Sequence, residues 1–314
     1  MSTTLYFSKI NINSHIFEIY KKPSKLKQIL NLLLINIEDD IEYKKEDLIT
    51  LDDGQTISQD ATYRFSSINK LDGEFDKTIV GSIIKSSKLF AKEIDKETNE
   101  IKVKSIHNDE IIQFYFDLFK ETVAFYTTNR FGYMDFNHVF KELIGKSMEK
   151  TGTDYSFEVS LLREGLNLDN IKQELKKIGK IEILTIKIIP PNPDDGFLDE
   201  IHRNGEEYLN MINDGNVTNT SIILTSKAPQ GLKLDSKIVN SELDKINMIH
   251  SNLTAEEAIK KGYATVDATS KGGRLYSTNN NKPIKNTLEE NDMQSILDYA
   301  KACKKAVQSL FIGK

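Results

Sequence analysis

Asp194, Asp195, Asp199 and Glu200 form the densest run of carboxylates in the chain, directly after Pro190-Pro-Asn-Pro193. Carboxylates gathered at a strand end are where a hard cation such as Mg²⁺ is held for phosphodiester cleavage. At the start of a helix the same groups complement the dipole and cap free N–H groups, which accounts for most of the cluster without a metal. A nuclease also needs a further carboxylate and a lysine from an adjacent strand, and Glu182 and Lys187 are available but at no recognised spacing. The cluster is therefore open between metal binding and helix capping, and no residue is assigned a catalytic or metal-ligating role.

Other chemistry-bearing residues fall short of a site. Gly145-Lys-Ser147 resembles the end of a phosphate-binding loop, but the earlier glycine the loop requires is replaced by Phe140. The five histidines, His15, His107, His138, His202 and His250, are too scattered to suggest a metal centre. Cys303 shares an apolar helical stripe with Ile296, Ala300, Val307 and Leu310, which points to packing over nucleophilic catalysis. Serine-nucleophile signatures are absent, and no cofactor is expected.

The remaining candidate is charge. The formal net charge is −5, yet from Lys260 onward ten basic residues face five acidic ones, so about +5 lies there against about −10 upstream. Lys271-Gly-Gly-Arg274 reads as a hairpin tip, where glycine lets a backbone approach closely. Lys301, Lys304, Lys305 and Gln308 share one face of a terminal helix, opposite its apolar stripe. Lys271, Arg274, Lys301, Lys304 and Lys305 are thus the candidate nucleic-acid contacts, since each cation that neutralises a phosphate releases a counterion. A lysine-bearing polar helix face is equally what ordinary solvation requires.

These residues need elements to hold them. Alternation predicts a strand over residues 4–20, followed by a helix over 25–37 and an acidic loop. Tyr63-Arg-Phe65 and residues 78–83 read as strands flanking the turn Leu71-Asp-Gly-Glu74, with residues 85–104 a loop or exposed hairpin. Residues 111–116 and 122–126 form a buried hairpin. Phe136, Val139, Phe140, Leu143 and Ile144 then recur at helical spacing after Asp135. A strand over 155–162, a helix over 168–178 and a central strand over 181–189 form one strand-helix-strand unit. Further helices are expected over 197–212, 235–250 and 254–260, a strand over 220–225 and a hairpin over 263–278. Thr254-Ala-Glu-Glu257 and Thr287-Leu-Glu-Glu290 are capping-box patterns, the second opening a terminal helix that reaches Phe311.

The mixed order of strands and helices indicates an α+β fold with mixed sheets, a C-terminal β-hairpin and a terminal helix. The domain division falls near Thr151, giving 1–150 and 151–314, with a single domain as the alternative. A lone cysteine excludes an internal disulfide and fits a reducing cytoplasm. The first ten residues lack the pattern of a signal peptide, and the apolar stretch near residues 29–35 is too short to cross a bilayer.

The run Ile188-Ile-Pro-Pro-Asn-Pro-Asp-Asp195, with Gly262-Tyr-Ala-Thr-Val-Asp-Ala268, Ser277-Thr-Asn279 and Lys282-Pro283, resembles an uncharacterised bacterial domain family over nearly the whole chain. Its motifs are structural punctuation and name no active site. More distantly, the hairpin over 111–126, the helix containing Leu143-Ile-Gly-Lys-Ser-Met148 and the lysine-rich terminal helix are similar to RexA-type phage-exclusion proteins. That resemblance implies a DNA-binding dimer acting in phage defence or exclusion with a partner protein; together with the charge asymmetry it leads to the expectation of a non-enzymatic component of a defence operon that binds double-stranded DNA, with no membrane insertion of its own. The competing expectations are a protein-interaction module using Phe114, Phe116, Phe131 and Tyr133, and a metal-dependent nuclease.

Overall fold

The computed structural model describes residues 2–50, 56–71, 73–75, 77–94, 101–193, 207–247 and 253–311. These residues form an α+β fold of helices and two β-sheets, the fold class that the sequence pattern predicts. The chain divides into two compact units: Met1–Leu5 with Leu30–Thr153 and Asn286–Lys314, and Tyr6–Ile29 with Asp154–Lys285. Strand β1 (Thr3–Ile12) starts in the first unit and continues in the second.

In the first unit, β2 (Glu42–Thr50), β3 (Thr56–Leu71), β4 (Thr78–Ile94), β5 (Ile101–Asp117) and β6 (Thr122–Tyr126) lie in the order β6-β5-β4-β3-β2. The acidic loop expected after residue 37 is largely β2. Its alternation is masked in the sequence because it is the edge strand, where charged side chains keep the ladder from pairing further. Of the residues expected as a loop or exposed hairpin, 85–94 and 101–104 are strand, with β4 and β5 paired from Thr78↔Asp117 to Ile94↔Ile101.

Helix α3 (Tyr133–Glu149) covers one face of this sheet, and the predicted positions Phe136, Val139, Phe140, Leu143 and Ile144 are all fully buried. The Phe140 ring lies 5.3 Å from that of Phe114 and 5.7 Å from that of Phe116, and Phe125 stacks on Phe136 at 3.7 Å. Tyr115, between the two phenylalanines, points to the opposite face, toward Cys303 of the terminal helix α8 (Ile296–Ser309). Cover on both faces is why this part of β5 reads as an unbroken aromatic run. The terminal helix starts later than its sequence pattern suggests. Lys285–Leu288 is strand β12, Glu289 and Asp292 form the capping box of a 3₁₀ turn, and Ser295 caps α8 by accepting from the Asp298 N–H at 3.1 Å.

In the second unit, the predicted strand over 4–20 ends at Ile12. The chain turns into helix α1 (Ile16–Lys21), where Ile16, Phe17, Ile19 and Tyr20 are buried at helical spacing. Helix α2 (Ser24–Asn36) follows, close to its expected place. Strand β7 (Phe157–Leu161) pairs with β1, with Asn11 opposite Glu158. Helix α4 (Leu168–Ile178) then leads to β8 (Ile181–Ile188), which lies in a different, four-stranded sheet. The expected strand-helix-strand unit therefore does not share one sheet: α4 joins two sheets.

That second sheet has the order β11-β10-β8-β9, from β9 (Thr220–Thr225), β10 (Ala264–Ser270) and β11 (Leu275–Ser277). The central placing of β8 agrees with expectation, but among the described residues one of its faces is covered more fully than the other. Leu184, Ile186 and Ile188 are buried while Ile183 is 37% exposed. Their core includes Ile171 and Leu175 of α4, Val239 and Leu243 of α6 (Lys237–Asp244), and Ala258 and Ile259 of α7 (Ala255–Lys260). Helix α5 (Glu207–Asp214) is the described part of the helix predicted over 197–212.

Candidate nucleic-acid interface

Strands β10 and β11 pair through Asp267↔Ser277 and Thr269↔Leu275, which places Lys271-Gly-Gly-Arg274 at a hairpin tip as predicted from sequence. Gly273 has φ +77°, a left-handed conformation that a side chain resists. Ser270 holds the turn: its carbonyl accepts from the Gly273 N–H at 2.9 Å, and its hydroxyl accepts from the Arg274 N–H at 3.0 Å. The Lys271 N–H donates to the Lys180 carbonyl at 2.8 Å, and its ammonium donates to the Lys227 carbonyl at 3.1 Å.

The tip thereby gathers two cations that sequence reasoning missed. Lys180 precedes β8 and Lys227 follows β9, so only the pairing of these strands brings them beside Lys271. Glu182 is the carboxylate of this group, 2.8 Å from the Lys227 ammonium. A hydrogen bond and the charge of Lys227, with a smaller contribution from Lys271, hold the Glu182 carboxyl below its ordinary range. Lys180, Lys227, Lys271 and Arg274 are all exposed, so this end of the sheet offers an anion several cations around a glycine turn.

The helix candidates divide. Lys301 and Lys305 are exposed one turn apart on α8. Lys304 is directed into its own unit: its ammonium donates to the Glu74 carbonyl, lies 3.6 Å from the Glu74 carboxylate and sits 4.8 Å above the Phe75 ring. It fastens α8 to the 3₁₀ turn Gly73–Phe75. The hairpin cluster belongs to the second unit and the α8 lysines to the first.

The remaining candidates occupy structural positions. Gly145-Lys-Ser147 lies inside α3, where the Ser147 hydroxyl donates to the Leu143 carbonyl at 2.8 Å, so no strand-to-helix phosphate loop exists there. Cys303 is fully buried, and burial pushes its thiol up to about 12. Phe114, Phe116 and Phe131 are fully buried, which removes them from any docking surface. Glu182 and Lys187 lie an odd number of residues apart on β8 and so project to opposite faces of the sheet. Asp194, Asp195, Asp199, Glu200, His202 and His250 lie outside the described residues. Among the described residues no group of three His, Cys, Asp or Glu is placed to hold a metal ion. No helix among them is long and apolar enough to cross a membrane.

The proline-rich run has a specific structural task. The Asn192 amide oxygen accepts from the Ile12 N–H at 3.0 Å, and its amide nitrogen donates to the Ile10 carbonyl at 3.2 Å. The side chain thus occupies the place of a neighbouring strand along β1. The Tyr20 hydroxyl donates to the Pro191 carbonyl at 2.7 Å and fixes the same segment. Prolines on either side of Asn192 have no N–H to leave unpaired.

Residues 3–253 match the family model of a domain of unknown function, DUF4747. The chain belongs to that family, and the match includes the Asn192 segment while ending before the hairpin tip and α8. No curated protein matches the chain.

Proposed function

We propose that this member of the DUF4747 family is a non-enzymatic, cytoplasmic nucleic-acid-binding component of a bacterial phage-defence or phage-exclusion system, acting as a homodimer on double-stranded DNA with a partner protein from the same operon. The observation that carries the reading is the gathering of Lys180, Lys227, Lys271 and Arg274 around a glycine turn in a chain of net charge −5. Cations on an otherwise acidic protein concentrate the attraction for phosphates at one place. The resemblance to RexA-type phage-exclusion proteins supports the biological setting. No base-reading element is identified, so sequence preference is weak and affinity follows salt.

The test is binding of the purified chain to labelled double-stranded and single-stranded DNA at two salt concentrations, with Mg²⁺ present and the DNA recovered. Intact DNA with salt-sensitive binding is the expected result. Each phosphate contact removed by Lys271→Ala or Arg274→Ala reduces the logarithmic salt slope by about 0.9. Absence of binding at low salt overturns the reading in favour of a protein-interaction module, and cut DNA overturns it in favour of a metal-dependent nuclease.

A further inference from the structure

Strand β5 pairs with β4 along its whole length, but on its other side β6 reaches only from Phe114 to Asp117. Among the described residues, 101–112 therefore have no neighbouring strand on that side, while the Gln113 carbonyl accepts from the Tyr299 hydroxyl at 3.2 Å. Strand β3 also stops short, its last pair with β4 being Ala61↔Ser87, so among the described residues the outer part of the β4-β5 pair is a two-stranded ribbon. A two-stranded ribbon in water is marginal by itself, and it gains stability when a further strand pairs with it. This one exposes apolar surface: Ile106 is 49% and Ile94 63% accessible.

The order of side chains along the edge points to the partner. Lys104 lies toward one end, Asp109 and Glu110 toward the other, and Ile106 between them. A parallel copy of the strand would set like charges together, which destabilises cross-strand neighbours. An antiparallel copy that sets Lys104 opposite Glu110 of its partner does so twice by symmetry, with His107 on the axis and Ile106 beside it on either copy. Such a two-fold pairing is isologous and closed, because each copy uses its own edge to cover the other. Within one chain, Asp109 accepts from the Ser86 hydroxyl at 2.6 Å and lies 3.1 Å from His107, while Glu110 accepts from the Thr128 hydroxyl, so the acidic end is already oriented.

We propose that the open edge of β5 is a self-association surface that pairs antiparallel with β5 of a second copy of this chain. The charged edge then serves to select its own partner and to reject parallel or misregistered strands.

Sedimentation equilibrium of the full chain at low salt tests this with Lys104→Glu, Glu110→Lys and the double variant carrying both. The wild type is expected to be a dimer. Each single substitution turns two attractions into two repulsions and raises the dissociation constant about tenfold. The double variant recreates opposite charges and returns it to near the wild-type value, a recovery that misfolding of either single variant would not produce. A wild type that stays monomeric up to about 100 μM overturns the proposal and leaves the edge to a different protein or to solvent. A dimer that neither single substitution weakens overturns it by placing the interface elsewhere, and a double variant as weak as the singles overturns the antiparallel pairing.

Discussion

Asn192→Ala isolates a side chain that stands in for a strand. The amide makes two hydrogen bonds to the β1 backbone, at 3.0 and 3.2 Å, and the residue is 4% exposed. Truncation leaves the Ile12 N–H and the Ile10 carbonyl without this partner in a place water hardly reaches. A buried group so orphaned costs about 1–3 kcal/mol, and a carbonyl with a second lone pair falls at the low end, so the pair is worth about 2–4 kcal/mol. For a unit of this size that lowers Tm by about 5–10 °C. Asn192→Asp is the informative companion: it keeps an acceptor for Ile12 but sets a carboxylate oxygen against the Ile10 carbonyl, so it should destabilise at least as much as alanine above pH ~5. Thermal unfolding followed by circular dichroism measures the global effect, and hydrogen exchange at the Ile12 amide measures the local one. A change in stability under about 0.5 kcal/mol, with Ile12 exchanging as slowly as before, would refute the strand-substitute role.

Lys304→Ala should behave differently from its neighbours on α8. It should lose about 1–2 kcal/mol of stability through the Glu74 and Phe75 contacts, while Lys301→Ala with Lys305→Ala leaves stability unchanged and weakens DNA binding; a reversed pattern in paired unfolding and binding measurements contradicts the assignment. With its thiol at about 12, Cys303 carries a thiolate fraction of about 10⁻⁴ at pH 8. Native alkylation by iodoacetamide should therefore run about a thousandfold slower than in urea, and comparable rates would mean the helix opens freely. Burial is the largest influence on Asp117 and raises its carboxyl above the ordinary range, although the Lys120 N–H donates to it at 2.9 Å. The raised folded-state pKa means that its contribution to stability is complete below the unfolded value of about 3.9 and is lost as pH rises through the folded value. Asp117→Asn should flatten the fall in stability that begins above the unfolded value of about 3.9, and an unchanged slope in urea unfolding would show that the carboxyl titrates normally.

What could be read directly from the residues lies within a few positions along the chain. Leu168–Ile178 is helical over the predicted range, and its Asn167 cap accepts from the Asn170 N–H at 2.9 Å. The Lys271-Gly-Gly-Arg274 tip, the strand Thr220–Thr225 and the buried phenylalanine stripe of α3 were legible for the same reason, since turn chemistry and periodicity act locally. That the chain belongs to an uncharacterised domain family agrees with the reading of the sequence, but the work of Asn192 was not legible, because its partner Ile12 is 180 residues away in sequence. Edge strand β2 escaped notice because a solvated edge lacks the apolar alternation that marks a half-buried strand. The assignment of β7 and β8 to different sheets, the arrival of Lys180 and Lys227 beside Lys271 and the turning of Lys304 onto Phe75 were all decided by long-range pairing. Side-chain type records what a residue is able to bind; which neighbour it meets, and so whether a lysine faces solvent or fastens a helix, depends on strand order and packing that no local pattern encodes.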